Sequence, residues 1–484
     1  MIPASIVGSH ARSLFLATAV FGLLAGCATV PDLGPKPAPA TAGTFESAAS
    51  LASADGAWPA EGWWRGFGDA QLDALISEGL EDSPDVAIAA ARVRAAEAMA
   101  QQAGAALLPR VGAEGSAGGV QQSKNMGIPP EFVPDGIQDT GHIAATFSFD
   151  LDLWGRNRAA LAAATSEAEA ARVDEAQARL MLATGIAAAY ADLDGYYREL
   201  DTANEAVRVR TASANLSGDR ARAGIENQAS QRQAESRAAS ARADVVALEE
   251  AIATTRNRIA ALLGAGPDRG RSIARPQLVR PSLGLPANAG IDLIGRRPDI
   301  VAARLRSEAA AKRIDVARAD FYPNISLSAL VGLQSLGLSN LFSSGSEYGN
   351  GGAAISLPVF EGGRLQGRYR GARADYDVAV ATYDRTLVGA LRDVADIVAS
   401  RAAAERQLAG RREALSAAAE ASKLAELRYR AGLSNQIIQL TAEDSMVALS
   451  RTVAELEARR LTLDIALIRA LGGGYQAANP TGDE

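Results

Sequence analysis

Cysteine and histidine are almost absent from this chain. In 484 residues there is one Cys, Cys27, and there are two His, His10 and His142. A single thiol excludes an intrachain disulfide framework and any multi-cysteine zinc or iron–sulfur site. Two imidazoles leave little for metal centres or for nucleophile–His–acid catalysis. Positive charge is not in excess either: 49 Lys and Arg stand against 56 Asp and Glu, a formal net charge of -7. A protein that held nucleic acid by neutralising phosphates would carry the opposite balance. Aromatics make up only 5% of the residues, and beyond the N-terminal run no stretch is apolar enough to span a bilayer as a helix. The expectation is a non-enzyme without catalytic residues, metal ligands or a dissociable cofactor.

The N-terminus says where the chain goes. His10 and Arg12 precede the apolar run Leu14 to Leu24, too short for a membrane helix and of signal-peptide length. Leu24-Ala25-Gly26-Cys27 resembles the lipobox of bacterial lipoproteins, with small residues before the cut and a nucleophilic sulfur after it. The alternative is an ordinary signal peptide with an incidental Cys. The lipobox implies a signal peptide over 1–26, a lipid on Cys27, and an anchor and linker over 27–59. Residues 31–43 of that linker are rich in Pro and Ala. Ala28, in place of Asp, implies delivery to the outer membrane.

The remainder is a tandem duplication. Pro84-Asp85-Val86 aligns with Pro298-Asp299-Ile300 at an offset of 214, which holds to Pro109/Pro323. From Ser148/Ser356 the offset is 208, through Arg222-Ala223-Gly224/Arg430-Ala431-Gly432 to Leu263-Gly264/Leu471-Gly472. One change of six residues between Pro109 and Ser148 therefore accounts for the whole misalignment. The copies occupy 60–265 and 297–475, with a connecting segment 266–296 and a tail 476–484.

Each copy opens with a helix, 83–107 or 297–320, stopped by Pro109 or Pro323. Period-2 segments follow. Ile325, Leu327, Ala329, Val331 and Leu333 share a face, as do Ile143, Ala145, Phe147, Phe149, Leu151 and Leu153; Ile355, Leu357 and Val359 do the same in the last segment. The spacing predicts one hairpin per copy, about 109–154 and about 323–360. Proline then vanishes from 135–266 and from 359–479. Those stretches are Ala, Leu, Arg, Glu and Gln, and the first predicts a helix of ~100 Å from Arg156 to Ala221. Ile186, Tyr190, Leu193, Tyr197 and Leu200, then Asn204 and Val207, give it a coiled-coil seam. Gly224 and Gly432 mark turns into returning helices.

Two hairpins supply four membrane strands, and four cannot close a barrel. Open edges in lipid leave backbone groups unpaired, so several copies must share one barrel, and three would supply twelve strands. Polar residues on one strand face and apolar ones on the other suit a water-filled lumen inside lipid. The expected fold class is an α+β membrane protein: a tandem-repeat protomer with four transmembrane strands and long coiled-coil helices. As a trimer, its twelve-strand barrel would continue into an α-helical barrel.

Specific motifs go further. Leu293-Ile294-Gly295-Arg296-Arg297-Pro298-Asp299-Ile300, Ala319-Asp320-Phe321-Tyr322-Pro323-Asn324-Ile325-Ser326 and Leu357-Pro358-Val359-Phe360-Glu361-Gly362-Gly363-Arg364 resemble the outer-membrane factor family. These are the TolC-like efflux ducts, here in their lipidated NodT-type branch. Trp63-Trp64, Phe67, Asp69, Leu72, Leu75 and Ile76 match the family's first segment, and the likeness spans about 60 to 475.

The resemblance implies a homotrimer in the outer membrane that exports small toxic compounds. Its implied partners are a periplasmic adaptor and an inner-membrane pump, commonly of the resistance–nodulation–division type. It also implies that Arg222, Ala223, Gly224, Arg430, Ala431 and Gly432 are adaptor-docking tips, though a plain glycine helix cap reads the same way. Tyr429 matches a tyrosine that ties the periplasmic entrance shut. The family's basic and acidic partners of that tyrosine are Ser434 and Ser230 here. Its entrance-lining Asp falls on Thr441, with Glu443 and Asp444 close by as possible gate residues. The competing expectation is a structural coiled-coil lipoprotein without transport.

Overall fold

A computed structural model describes residues 29–47, 49–51, 56–281, 283–287 and 289–477. The expected signal peptide and Cys27 lie outside them. The chain forms α1 (Ala70–Asp82), α2 (Pro84–Ala105), β1 (Arg110–Val120), β2 (Gln138–Asp150), α3 (Arg156–Arg222) and α4 (Gln228–Leu262). After a short helical turn at Pro267–Arg271 come α5 (Ala289–Arg296), α6 (Pro298–Ala319), β3 (Asn324–Leu336), β4 (Glu347–Ser356), α7 (Arg364–Arg430) and α8 (Gln436–Ala470). The long helices repeat to the residue: α3 and α7 have 67 each, α4 and α8 have 35 each. Uninterrupted runs of strong helix formers without proline account for that length.

Two compact units divide the chain, and each draws on both copies. The first includes Arg94–Ala170 and Arg304–Thr382. Its centre is one antiparallel sheet in the order β1-β2-β3-β4. Phe147 pairs with Val111 and Ala329, Ala145 with Ala113 and Val331, Ile143 with Leu333, and Ile325 with Ile355. Because side chains alternate along a strand, this register gathers the odd-numbered apolar residues of all four strands on one face. Glu114, Ser116, His142, Thr146, Ser148, Ser328 and Asn350 share the other face. His142 sits inside β2 with its Nδ1 2.8 Å from Ser116 Oγ. Leu357 and Val359, expected to extend the last strand, lie beyond β4, because Pro358 has no N–H for a ladder.

Below the sheet Trp154 stacks on Tyr322 at 4.9 Å and donates from Nε1 to the Pro323 carbonyl at 2.7 Å. Asp152 then caps α3, its carboxylate accepting from the backbone N–H groups of Asn157 and Arg158 at 2.8 and 3.0 Å. The Pro/Ala segment near residue 35 is not a free linker. Tyr376 of α7 donates its hydroxyl to the Pro37 carbonyl at 2.8 Å and Arg373 Nη1 donates to the Gly34 carbonyl at 3.2 Å. Extended proline-rich backbone leaves its carbonyls unpaired, and α7 supplies the donors.

The second unit includes Ala40–Val93, Ala171–Ala303 and Tyr383–Glu484. Phe67, Leu72, Leu75 and Ile76 pack against Ile186, Tyr190 and Leu193 of α3, Ile259 of α4 and Leu263 just after it, and Ile465 and Ile468 of α8. A related cluster joins Leu285, Leu293 and Ile300 to Leu387, Leu391 and Val394 of α7 and Leu467 and Leu471. Full burial of each such side chain is worth about 1.5–3 kcal/mol. The predicted seam holds at Ile186, Tyr190 and Leu193 and then drifts: Asn204 is exposed and Ala206 is buried. Asp464, fully buried, is held by Arg280 at 2.6 Å and Arg401 at 2.9 Å.

Candidate functional site

Within the second unit, two helical hairpins, α3–α4 and α7–α8, end in turns built alike. Gly224 and Gly432 both have φ +72. The Ile225 N–H reaches the Arg220 carbonyl and the Leu433 N–H the Arg428 carbonyl, each at 2.8 Å. This is the Schellman arrangement, in which a left-handed residue closes a helix, and glycine adopts it without a Cβ penalty. Asn227 and Asn435 cap the returning helices, accepting from the N–H groups of Ser230 and Ile438. Arg222, Ala223, Arg430 and Ala431 are exposed at the turns; Arg222 pairs with Asp219, and Arg430 with Glu426 at 2.6 Å.

Tyr429 is buried and ties the second hairpin to the first. Its hydroxyl donates to Glu226 Oε1 at 2.8 Å. Arg220 lies over the ring at 4.3 Å, donates from Nη1 to the Tyr429 carbonyl at 2.9 Å, and faces Glu226 Oε1 at 3.8 Å. Ser217 adds bonds to Glu226 Oε2 at 3.2 Å and to Gln436 Oε1 at 3.1 Å. Burial, and then the Glu226 carboxylate that accepts its proton, push the Tyr429 hydroxyl up to about 12, so it stays a donor at any physiological pH.

The other sequence-predicted gate positions separate. Thr441 is exposed and bonds its own helix, donating to the Ile437 carbonyl at 2.7 Å. Glu443 is buried, 4.0 Å from Arg210 Nε, and burial pushes its carboxyl up to about 7. Asp444 pairs with Arg210 at 2.9 Å and Arg237 at 3.2 Å. Glu443 and Asp444 therefore face the first hairpin. Ser230 lends its backbone N–H to the Asn227 cap, and the Ser434 hydroxyl has no hydrogen-bond partner.

Arg220, Glu226, Ser217, Gln436, Arg210 and Arg237 were not legible as site residues. One signal was available: at the offset of 208, Glu226 falls on Ser434 and Tyr429 on Ala221. The clasp is built where the copies diverge.

Strands of 10 to 13 residues with one apolar and one polar face, joined to proline-free helices of 67 residues, define a channel-forming outer-membrane architecture. No helix among the described residues is long and apolar enough to cross a membrane. The outer membrane efflux protein family matches residues 75–265 and 292–473, and the chain belongs to that family. It is 35% identical over 485 residues to the fusaric acid resistance protein FusA of Burkholderia cepacia, covering 95% of this chain and 87% of that protein. It is 31% identical over 470 residues to the multidrug resistance outer membrane protein MdtP of Escherichia coli, covering 94% and 95%.

Among solved structures, the outer membrane protein VceC of Vibrio cholerae matches with a TM-score of 0.82 and 42% identity, over 87% of this chain and all of that one. The outer-membrane channel OprN matches at 0.83 and 28%, over 92% and 99%. The protein is thus an outer-membrane channel component of an efflux system, in a family of channels rather than enzymes. Membership decides against the purely structural coiled coil.

Proposed function

We propose that three copies of this chain close one twelve-strand barrel and act as a passive duct. The duct would receive small toxic compounds from an inner-membrane pump, probed first as the resistance–nodulation–division type, through a periplasmic adaptor. One observation carries this reading: β1 and β4 are the two edges of a four-stranded sheet whose apolar face passes from strand to strand through Val111, Phe147 and Ala329. In lipid those edges need partners, and two further copies supply them. Relatives named for fusaric acid and multidrug resistance support the substrate class. The exposed turns at Gly224 and Gly432 are the proposed adaptor sites, six per trimer. The Tyr429–Glu226–Arg220 clasp is the proposed tie that keeps the entrance shut by holding one hairpin on the other. A lipid on Cys27 is the proposed second anchor, leading into the segment that Tyr376 and Arg373 hold.

Native mass spectrometry of the detergent-purified protein tests the assembly. The expected species is a trimer; a stable monomer overturns the shared barrel. Loss of toxic-compound export on deletion, restored by the intact gene, tests the duct.

A further inference from the structure

The seam between the two hairpins changes character along α3. Near Tyr190 it is apolar, with Ile186 and Leu193 packed in the same cluster as Ile465 and Ile468 of α8. Toward the tips it turns polar. Arg210, Ser213, Ser217 and Arg220 recur at 3-4-3 spacing on α3, while Gln436, Gln439 and Glu443 recur at 3-4 spacing on α8. Ser213, Ser217, Gln436, Gln439 and Glu443 are all buried. Between the two regions lies a cavity of about 480 Å³ lined by Ala206, Arg210, Ala241, Asp444 and Val447 among others.

Inside the polar stretch the hydrogen bonding is incomplete. Neither Glu443 oxygen has a hydrogen-bond partner, nor do Gln439 Oε1, Ser213 Oγ or Arg210 Nε. An ionised carboxylate there is desolvated and without a hydrogen bond, its nearest cation Arg210 at 4.0 Å, whereas a protonated one carries a donor, which Gln439 Oε1, one helical turn away, lacks. The duplication supplies an internal control. Glu235, the same position in the first copy, is bonded by Gln231 and Arg232, each at 2.8 Å, and those bonds hold its carboxyl below the usual range. Only the second-copy acid is turned inward.

We propose that Glu443 is a proton-operated latch between the hairpins. Protonated, it lets α8 lie closed on α3; ionised, it favours their separation. The inference rests on the reading that the entrance opens by parting these hairpins. Every packed element presents a charge to the latch. Arg210 from α3 and Arg237 from α4 favour the ionised form, while Asp444 on α8 and Glu426 on α7 oppose it. Asp444 already occupies both guanidinium groups, at 2.9 and 3.2 Å, which leaves Glu443 the more distant contact at 4.0 Å.

Burial sets the sign. The closed form holds its proton up to about 7, and a solvated Glu443 in the parted form returns to the ordinary 4.5. Closure is therefore fully supported below 4.5, weakens as pH rises, and has lost this support above about 7. The span permits a shift of up to roughly three-hundredfold per protomer in the closed-to-open balance.

The test is single-channel conductance of the full-length protein in planar lipid bilayers between pH 5 and pH 8. Wild type should spend more time open as pH rises toward 7. Glu443→Gln, an uncharged stand-in for the protonated acid, should stay at the low-pH level throughout. Arg210→Met, which removes the nearest cation, should move the transition to higher pH, and it serves if the Gln variant fails to assemble. A wild-type open fraction independent of pH, or a titration that survives in Glu443→Gln, overturns the latch while leaving the channel intact. Absence of conductance at any pH overturns the channel reading and the latch with it.

Discussion

Replacing Tyr429 by Phe removes one hydroxyl and keeps everything else. The ring remains buried and remains beneath Arg220 at 4.3 Å. What disappears is the donor 2.8 Å from Glu226 Oε1, leaving that oxygen with Arg220 Nε at 3.8 Å. A hydrogen bond to a charged acceptor is worth about 1.5–3 kcal/mol, which is roughly 10- to 150-fold in the balance between clasped and parted hairpins. The purified channel should spend correspondingly more time open in planar bilayers, with trimer stability in detergent unchanged because the clasp is remote in sequence from the strands. Glu226→Ala removes the acceptor and also releases Ser217, so alone it should open the channel at least as much. Combining the two should add little, since both delete the same bond; the coupling should be about 1–3 kcal/mol in a double-mutant cycle. Simple additivity of the two effects, or an open fraction unaltered by either, would refute the clasp. Because burial pushes the Tyr429 hydroxyl up to about 12, the Tyr429 effect should be the same at pH 6 and pH 8.

Gly432→Val places a β-branched residue at φ +72, where an added Cβ meets no neighbour within 4 Å, so the strain is purely backbone and costs about 1–3 kcal/mol. Export should fall with trimer level and outer-membrane location unchanged, and crosslinking from the turn to the adaptor should weaken; normal export with no crosslink from either tip would leave the glycines as helix caps only. Asp464→Ala strips the shared partner from Arg280 and Arg401 in a buried site, so unfolding of the purified protein should be destabilised by about 3–5 kcal/mol. Cys27→Ser should abolish incorporation of labelled palmitate while trimers still form, because the barrel itself spans the membrane; labelling that persists would end the lipid assignment.

Much was written in one dimension. The offsets of 214 and 208 forecast the duplication, and helices of 67 and 35 residues recur in both copies because the same proline-free composition recurs. Period-2 alternation told which residues share a strand face, since that depends only on backbone geometry. The requirement that lipid tolerate no open edge then points to a shared barrel from the strand count alone. Strand ends were less legible: Leu357 and Val359 continue the alternation, yet β4 stops at Ser356 before Pro358.

What only the tertiary structure decided is which side chain meets which. Tyr429 binds Glu226, 203 residues away and not at its duplicated position, and Asp444 binds Arg210 across 234 residues. Helical periodicity says that Glu443 shares a face with Gln436 and Gln439, but not whether that face meets water, lumen or another helix. An identical acid one copy earlier, Glu235, is solvated. Whether a carboxylate is an exposed ring charge or a buried latch depends on its desolvation and on the partners that folding brings within 4 Å, and neither is a property of the local sequence.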